Sequence, residues 1–290
     1  MKINTSFENF KKRHKNKKNQ VIFYKEKYKN NKIVENIINN FLLRKNSFIF
    51  ESVEKRRIKG RYTIIGSDPD KIWEFDKNKI FLTENNKKKK IKGKPYLYLK
   101  KIIEDFKFPL PKNLPPLCSL LVGYFSYDII RYIEKIPNNC VEDIKIPDVR
   151  LMRPRTLIIH DNLQKNIYFI INCYADKKIS NYTKYYRDQI KSINGLRKLS
   201  YSNKTQNKDE KKPFKKIKVK SNISKKTFKK MVIEAKKYIR RGDIFQVVLS
   251  QRFEANLTKS PLEIYKKLRI TNPSPFMYFF NYNDFQIIGS

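Results

Sequence analysis

The sequence predicts an α+β fold, with largely antiparallel sheets packed face to face and helices on the outside. Many short segments alternate apolar and polar residues, which is the side-chain period of a strand. Segments with helical spacing fall between these strands irregularly, whereas a doubly wound parallel sheet requires a regular alternation of strand and helix. Apolar residues make up 40% of the 290-residue chain, which is enough for one or two buried cores.

The first two thirds of the chain contain most of the predicted strands. Strands are expected where apolar and polar residues alternate, and helices where apolar residues recur three and four positions apart. The predicted strands are 21–24, 47–53, 62–66, 71–75, 79–83, 120–125, 150–160 and 166–174. The predicted helices are a weak one within 1–20, and then 33–43, 96–106, 128–134 and 180–193.

Residues 195–223 are rich in lysine, asparagine and serine and contain few large apolar side chains. Such a segment buries too little apolar surface to offset the entropy of ordering, so a solvated linker is predicted. This linker divides the chain into a first domain, 1–194, and a second domain, 224–290.

The second domain begins with clear local signals. Ser224 is a good N-cap for an amphipathic helix, and Gly242 is its expected C-cap. Alternation over 244–253 then predicts a strand whose polar face carries Gln246. Such a face lies between a core and either water or a site, so Gln246 is either a solvated side chain or part of a site wall.

The chain after residue 259 predicts a helix and a hairpin. A capping box with proline at the first helical position begins the helix at Ser260. The prolines within 272–275 end it, because each disfavours helix at the preceding residue. Segments 276–282 and 285–289 read as two strands joined by a tight turn.

The formal net charge of +39 is the most unusual property of the composition. A chain this basic suggests a nucleic-acid-binding protein as one alternative. Lysines are spread over almost every segment, however, and asparagine and isoleucine are abundant beside them. A coding bias toward A and T explains that distribution better than a nucleic-acid-binding motif does.

The cysteines and histidines indicate neither a disulfide framework nor a metal site. Cys118, Cys140 and Cys173 are odd in number and far apart, which fits reduced thiols. His14 and His160 have no nearby catalytic partner in the sequence. Because the N-terminus lacks an apolar signal core, we expect a soluble cytoplasmic protein without a membrane segment.

Three strings carry a resemblance to a known family. They are 238–253 (Tyr-Ile-Arg-Arg-Gly-Asp-Ile-Phe-Gln-Val-Val-Leu-Ser-Gln-Arg-Phe), 272–277 (Asn-Pro-Ser-Pro-Phe-Met) and 284–290 (Asp-Phe-Gln-Ile-Ile-Gly-Ser). In order and spacing the chain resembles anthranilate synthase component I, of the chorismate-utilising enzyme family. The resemblance implies that 1–194 is a regulatory domain and that 224–290 begins the chorismate-binding catalytic domain, which is incomplete here.

The resemblance also implies a feedback site for L-tryptophan. The ligand's ammonium would need a carboxylate, its carboxylate would need hydroxyl or N–H donors, and its indole would need an apolar slot. On the residues alone, an ordinary strand serine and an ordinary turn leading into the core explain the same positions better than a ligand site does. The residues carried over to this tryptophan site are Glu51, Ser52, Asn272, Pro275, Phe276 and Met277.

For catalysis, the resemblance points to Gln246 as an active-site residue. Related enzymes that add water have a lysine general base at this position, whereas glutamine can orient a nucleophile such as ammonia without taking its proton. The family requires Mg²⁺ held by carboxylates, and the resemblance places those ligands beyond Ser290, so no metal ligand is predicted within the chain.

The function that the resemblance implies is that of the large subunit of anthranilate synthase, a lyase of tryptophan biosynthesis. It would convert chorismate and ammonia to anthranilate and pyruvate, with ammonia supplied by a glutamine amidotransferase subunit, and the 290-residue chain alone is expected to be inactive. The alternatives are aminodeoxychorismate synthase component I, a non-catalytic remnant, and a basic nucleic-acid-binding protein.

Overall fold

The computed structural model describes residues 2–28, 32–52, 60–111, 114–139, 141–202 and 217–290. By internal contacts the chain divides into a larger unit, 1–204 with 261–290, and a smaller unit, 205–260. Val53 at the end of a predicted strand, Cys140, and residues 203–216 of the predicted linker lie outside the described residues.

The described elements are twelve strands, six α-helices and one 3₁₀ helix, Tyr127–Tyr132. The helices are α1 (Phe7–Lys15), α2 (Lys32–Phe41), α3 (Pro95–Asp105), α4 (Tyr182–Tyr201), α5 (Lys225–Arg240) and α6 (Pro261–Thr271). The strands are β1 (Gln20–Lys27), β2 (Ser47–Glu51), β3 (Tyr62–Asp76), β4 (Lys79–Glu84), β5 (Lys87–Ile91), β6 (Val122–Phe125), β7 (Val149–Asp161), β8 (Asn166–Cys173), β9 (Val219–Ser221), β10 (Phe253–Ala255), β11 (Met277–Asn281) and β12 (Gln286–Gly289).

Ten strands of the larger unit form one antiparallel sheet in the order β1-β8-β7-β3-β2-β11-β12. The strands β4 and β6 extend it beside β3 and β7, and β5 pairs with β4. The predicted strands 62–66 and 71–75 are one strand, β3, whose register against β7 shifts between Pro69 and Lys71. The α+β class and the antiparallel pairing are therefore confirmed.

The strand β5 was not predicted from the sequence. Its residues are four lysines followed by Ile91, and all four lysines are exposed. Such a run reads as a solvated charge cluster because it has no apolar face. Its backbone nevertheless pairs with β4, and lysines at the edge of a sheet discourage pairing with another chain.

Two apolar layers cover the two faces of the central sheet. On one face, α1, α2, α4 and α6 pack against strand residues such as Ile49 and Phe279. On the other face, Phe48 and Phe280 pack with Cys118 and Leu120 from the segment before β6. Because each fully buried large apolar side chain contributes about 1.5–3 kcal/mol, these layers hold the C-terminal hairpin to the N-terminal strands.

The predicted domain boundaries need two corrections. Residues 195–201 continue α4 instead of beginning a linker, because Leu196 and Ser200 are buried on its inner face. Residues 261–290 belong to the larger unit, because β11 pairs with β2 in the same sheet. The functional division into regulatory and catalytic parts stays a prediction.

The smaller unit confirms the predicted helix but not the predicted strand. The Ser224 hydroxyl accepts from the Thr227 N–H at 3.1 Å, and Gly242 adopts a φ of 78° at the other end of α5. Residues 244–252 are not a strand, and the Phe245 side chain is fully exposed. A strand requires hydrogen bonds to a neighbour, and among the described residues of this unit only β9 pairs, with β10.

None of the helices in the described ranges is long and apolar enough to cross a membrane.

Two glycine substitutions test the fold in opposite directions. In Gly123→Ala, the added methyl group would meet the Arg150 carbonyl oxygen of β7 at 1.8 Å, so we expect the free energy of unfolding to fall by about 1–3 kcal/mol. In Gly195→Ala the added methyl group would have no heavy atom within 4 Å. Because alanine favours helix over glycine, we expect the free energy of unfolding to rise by about 0.5–1 kcal/mol.

Urea denaturation followed by circular dichroism measures both changes. An unchanged stability for Gly195→Ala would contradict the helical assignment, because glycine and alanine differ little in a solvated linker.

Candidate functional site

The seam between β2 and β11 contains the first candidate site residue. Glu51 is the last residue of β2 and is opposite Met277, the first residue of β11. The Glu51 side chain is only 4% exposed, and Met277 is fully buried. A charged side chain at such a position requires a partner, because its desolvation is costly.

Two residues of α6 supply that partner. The Tyr265 hydroxyl donates to Glu51 Oε2 at 2.9 Å, and Arg269 donates through Nε to Oε2 at 2.6 Å and through Nη2 to Oε1 at 2.5 Å. Tyr265 and Arg269 are four positions apart on α6, so they lie on one face of the helix. Together they occupy both oxygens of the Glu51 carboxylate.

Burial and the Glu51 carboxylate both shift the pKa values of Tyr265 and Arg269. Burial raises the pKa of Tyr265, and the charge and hydrogen bond of Glu51 raise it further. Burial lowers the pKa of Arg269, but the hydrogen bond and charge of Glu51 outweigh it, so the pKa is raised overall. The tyrosine therefore stays neutral and the arginine stays charged at ordinary pH.

The turn between α6 and β11 brings the remaining predicted residues near this seam. Asn272 donates from Nδ2 to Ser290 Oγ at 3.1 Å, and Ser290 Oγ donates to the Asn272 carbonyl at 2.8 Å. Pro275 is half-buried, whereas the Phe276 ring is 80% exposed. Ser52, directly after Glu51, is half-buried. The structure thus places the six predicted residues at the end of β2 and around the start of β11.

Both oxygens of the Glu51 carboxylate are already paired, so a ligand could reach this carboxylate only by competing with Tyr265 or Arg269. Arg269 is 28% exposed, so it can turn to water or to a ligand's carboxylate when a ligand's ammonium takes its place at Glu51. The exposed Phe276 ring and half-buried Pro275 are apolar groups beside the seam. Feedback binding of tryptophan at this site stays a prediction.

The sequence reasoning missed Tyr265 and Arg269. The available signal was their four-residue spacing within a helix, where an arginine and a tyrosine share one face. Their partner, Glu51, precedes Arg269 by 218 positions. No local pattern indicates which distant carboxylate such a helix will meet.

The predicted catalytic residue Gln246 belongs to the smaller unit and is exposed there, in the segment without strand structure. Its active-site role stays a prediction. Within the described ranges no group of three or more histidine, cysteine, aspartate or glutamate side chains could hold a metal ion. The described residues therefore do not fit a Mg²⁺ site.

Substitutions at the ion pair test how the seam is held. We expect Arg269→Met to lower the free energy of unfolding by about 3 kcal/mol, because it leaves the buried Glu51 charge without its partner. Glu51→Gln should cost less, because glutamine can still accept from Tyr265 and the partly exposed Arg269 retains access to water.

The double variant completes the cycle and is expected to lose less stability than the sum of the two single changes. Denaturant titration gives all three values. Additivity within about 0.5 kcal/mol would mean that the two side chains do not depend on each other.

Comparisons with known proteins identify the family of this chain. Residues 45–290 match the family model described as chorismate binding enzyme. Anthranilate synthase component 1 of Acetivibrio thermocellus is 38% identical over 84% of this chain and 50% of its own length. The protein of the same name from Cereibacter sphaeroides is 31% identical over 99% of this chain and 58% of its own length.

A solved structure shows the same relationship. The crystal structure of anthranilate synthase component I from Streptococcus pneumoniae TIGR4 superimposes with a TM-score of 0.66 at 28% identity, covering 79% of this chain and 50% of that one. The chain spans about half the length of the curated relatives it matches. Because the family match extends over most of the sequence, this chain belongs to the chorismate-binding enzyme family, and its relatives are component 1 of anthranilate synthase.

Proposed function

We propose that this chain is part of the large subunit of an anthranilate synthase, which converts chorismate and ammonia to anthranilate and pyruvate. The observation that carries the proposal is the similarity to anthranilate synthase component 1 along 84% and 99% of the chain in two relatives. A glutamine amidotransferase subunit would supply the ammonia. The cytoplasm is the expected location, because the proposed substrates are soluble metabolites.

The proposed reaction has two steps. Ammonia adds to the chorismate ring with loss of the ring hydroxyl, and pyruvate is then eliminated to leave the aromatic product. Gln246 would orient the ammonia or the ring through its side-chain amide. It needs no proton-accepting power, because neutral ammonia already carries a reactive lone pair.

Mg²⁺ is proposed as the cofactor of the complete enzyme, where it would neutralise substrate carboxylate charge. The described residues offer no carboxylate cluster for it. We therefore assign no residue of this chain to the metal, and we propose that its ligands lie in the part of the relatives' length that this chain does not span.

Feedback inhibition by L-tryptophan is proposed at the β2–β11 seam. The Glu51 carboxylate would accept from the ligand's ammonium, and the Ser52 hydroxyl would donate to its carboxylate. Pro275 and the exposed Phe276 ring would contact the indole above the buried Met277. The support is that Glu51 and Met277 are direct neighbours across the two strands. A ligand that competes with Arg269 for Glu51 would act on α6 and β11 together.

Tryptophan binding can be measured on the 290-residue chain by calorimetry. We expect a saturable heat of binding that Ser52→Ala weakens by about tenfold or more, because a hydrogen bond to a charged group is worth about 1.5–3 kcal/mol. Ser192→Ala is the matched control, since the hydroxyl of this exposed α4 serine donates to the Asp188 carbonyl of its own helix at 2.9 Å. Equal affinities for both variants would place the ligand elsewhere.

Catalysis is tested on the complete reading frame. The coding DNA is read through and past the Ser290 codon, the whole protein is expressed, and anthranilate fluorescence is followed with chorismate, ammonium and Mg²⁺. We expect Gln246→Lys to lower kcat by about 10²-fold, as for loss of one positioned hydrogen-bonding group. Gln251→Lys, an exposed glutamine in the same segment, should leave kcat unchanged.

Other products would identify the alternatives. Aminodeoxychorismate instead of anthranilate would assign the protein to aminodeoxychorismate synthase component I. Absence of any chorismate product, with tryptophan binding retained, would indicate a remnant that keeps only the ligand site. Strongly salt-dependent DNA binding without a response to tryptophan would support the nucleic-acid alternative.

A further inference from the structure

A second cleft lies in the larger unit and shares no residue with the seam around Glu51. Its volume is about 690 Å³, which is in the range of about 300–1,000 Å³ typical of small-molecule sites. It lies where the β3–β4 hairpin, α3, the turn after α1 and the end of β8 meet. The proposed anthranilate synthase reaction makes no use of it.

One wall of this cleft is apolar and rigidly packed. Trp73 of β3 and Leu82 of β4 are opposite each other in the sheet and are each only 6% exposed. Tyr98 and Ile102, one turn apart on α3, lie beside them in the lining. These aromatic and branched side chains, between a sheet and a helix, make this wall apolar.

A second wall carries cations that are already fixed. Arg153 donates to both oxygens of Asp70, at 2.8 and 2.6 Å, and to both oxygens of Asp176, at 3.0 and 3.1 Å. Its guanidinium lies 3.9 Å from the Tyr174 ring centre. Lys71 contacts Asp176 at 2.6 Å and Glu84 at 3.4 Å. Because Arg153 and Lys71 are already paired with carboxylates of the protein, they form part of the cleft wall but are not free to pair with a ligand.

Two further lysines line the cleft without such a pair. Lys17, in the turn after α1, and Lys101, on α3, have no carboxylate within 4 Å among the described residues. The lining contains four cations and two carboxylates, and Asp176 is used by Lys71 and Arg153. The remaining carboxylate, Asp105, lies one turn beyond Lys101 on α3. Lys17 and Lys101 are therefore the lining cations that, within the described ranges, have no carboxylate within 4 Å and can pair with an anionic ligand.

We propose that this cleft binds a small carboxylic acid that carries a flat ring. The ligand's carboxylate would pair with Lys17 and Lys101, and its ring would lie against Trp73 and Tyr98. Asp105 would accept a hydrogen bond from a hydroxyl or amino substituent on the ring. The site shares no residue with the proposed tryptophan site and does not include Gln246.

The chain has a built-in reporter for this proposal. Trp73 is its only tryptophan, so indole fluorescence excited selectively comes from the cleft wall alone. We expect benzoate to change this emission in a saturable way. Acetate, which has the carboxylate without the ring, and benzyl alcohol, which has the ring without the charge, should each bind at least about tenfold more weakly, a difference of about 1.4 kcal/mol.

Two adjacent lysines of α3 give a matched pair of variants. Lys101→Glu reverses a charge in the cleft, and we expect it to weaken benzoate binding at least about tenfold, or about 1.4 kcal/mol. Lys100→Glu makes the same change in net charge at an exposed position outside the lining, beside Glu104, and should leave the benzoate affinity unchanged. Circular dichroism confirms that both variants keep the fold.

Each outcome of this experiment decides the proposal. If both variants weakened benzoate binding equally, the binding would reflect general attraction of an anion to a basic protein, and the proposed site would be wrong. Equal binding of benzoate, acetate and inorganic phosphate would show a simple anion site and overturn the ring specificity. Ser52→Ala should leave the benzoate response intact, so failure of the tryptophan site and failure of this cleft are observed separately.

Discussion

The pairing of β2 with β11 is the constraint on which the larger unit depends. These strands come from opposite ends of the chain, yet they are hydrogen-bonded neighbours with Glu51 opposite Met277 and Phe48 opposite Phe280. The Phe48 and Phe280 rings stack at 6.0 Å on one face, while Glu51 points toward α6 on the other. A slip of one residue would exchange the two faces and bury phenylalanine where the ion pair lies.

Arginine–carboxylate ion pairs connect the β11–β12 hairpin to the rest of the larger unit near both ends of β11. Arg269 holds Glu51 near the start of β11, and Arg150 of β7 holds Asp284 in the turn between β11 and β12 at 2.5 and 2.9 Å. Arg150 also contacts Glu74 of β3. Burying an ion pair costs desolvation energy, so these pairs add little net stability. Their role is to fix geometry, because a guanidinium that donates to carboxylates on several elements holds those elements in one arrangement.

The large positive charge of the chain lies mostly on exposed lysines and does not determine how the strands and helices pack. The lysines of β5 are exposed at the sheet edge, and those of α5 extend from a helix with no buried side chain among the described residues. A field of this sign raises the local concentration of carboxylates. The carboxylic acid proposed for the cleft beside Trp73 would therefore bind more rapidly at low ionic strength, whereas zwitterionic tryptophan, which has no net charge, would be affected little.

Local features followed from the sequence alone. Strand alternation predicted the antiparallel α+β class, and the end signals of α5 and α6 were correct because a cap depends only on neighbouring residues. The ordered strings at 238–253 and 272–277 indicated the family for the same reason: they are contiguous.

Only the tertiary structure decided which elements meet. Residues 195–201 are helix because Leu196 and Ser200 find a buried surface beside the sheet, and 244–252 are not a strand because no described neighbour pairs with them. The Glu51 partners and the walls of the second cleft likewise come from elements far apart in the chain. Periodicity shows which face of an element is apolar, but the surface that covers it depends on distant packing.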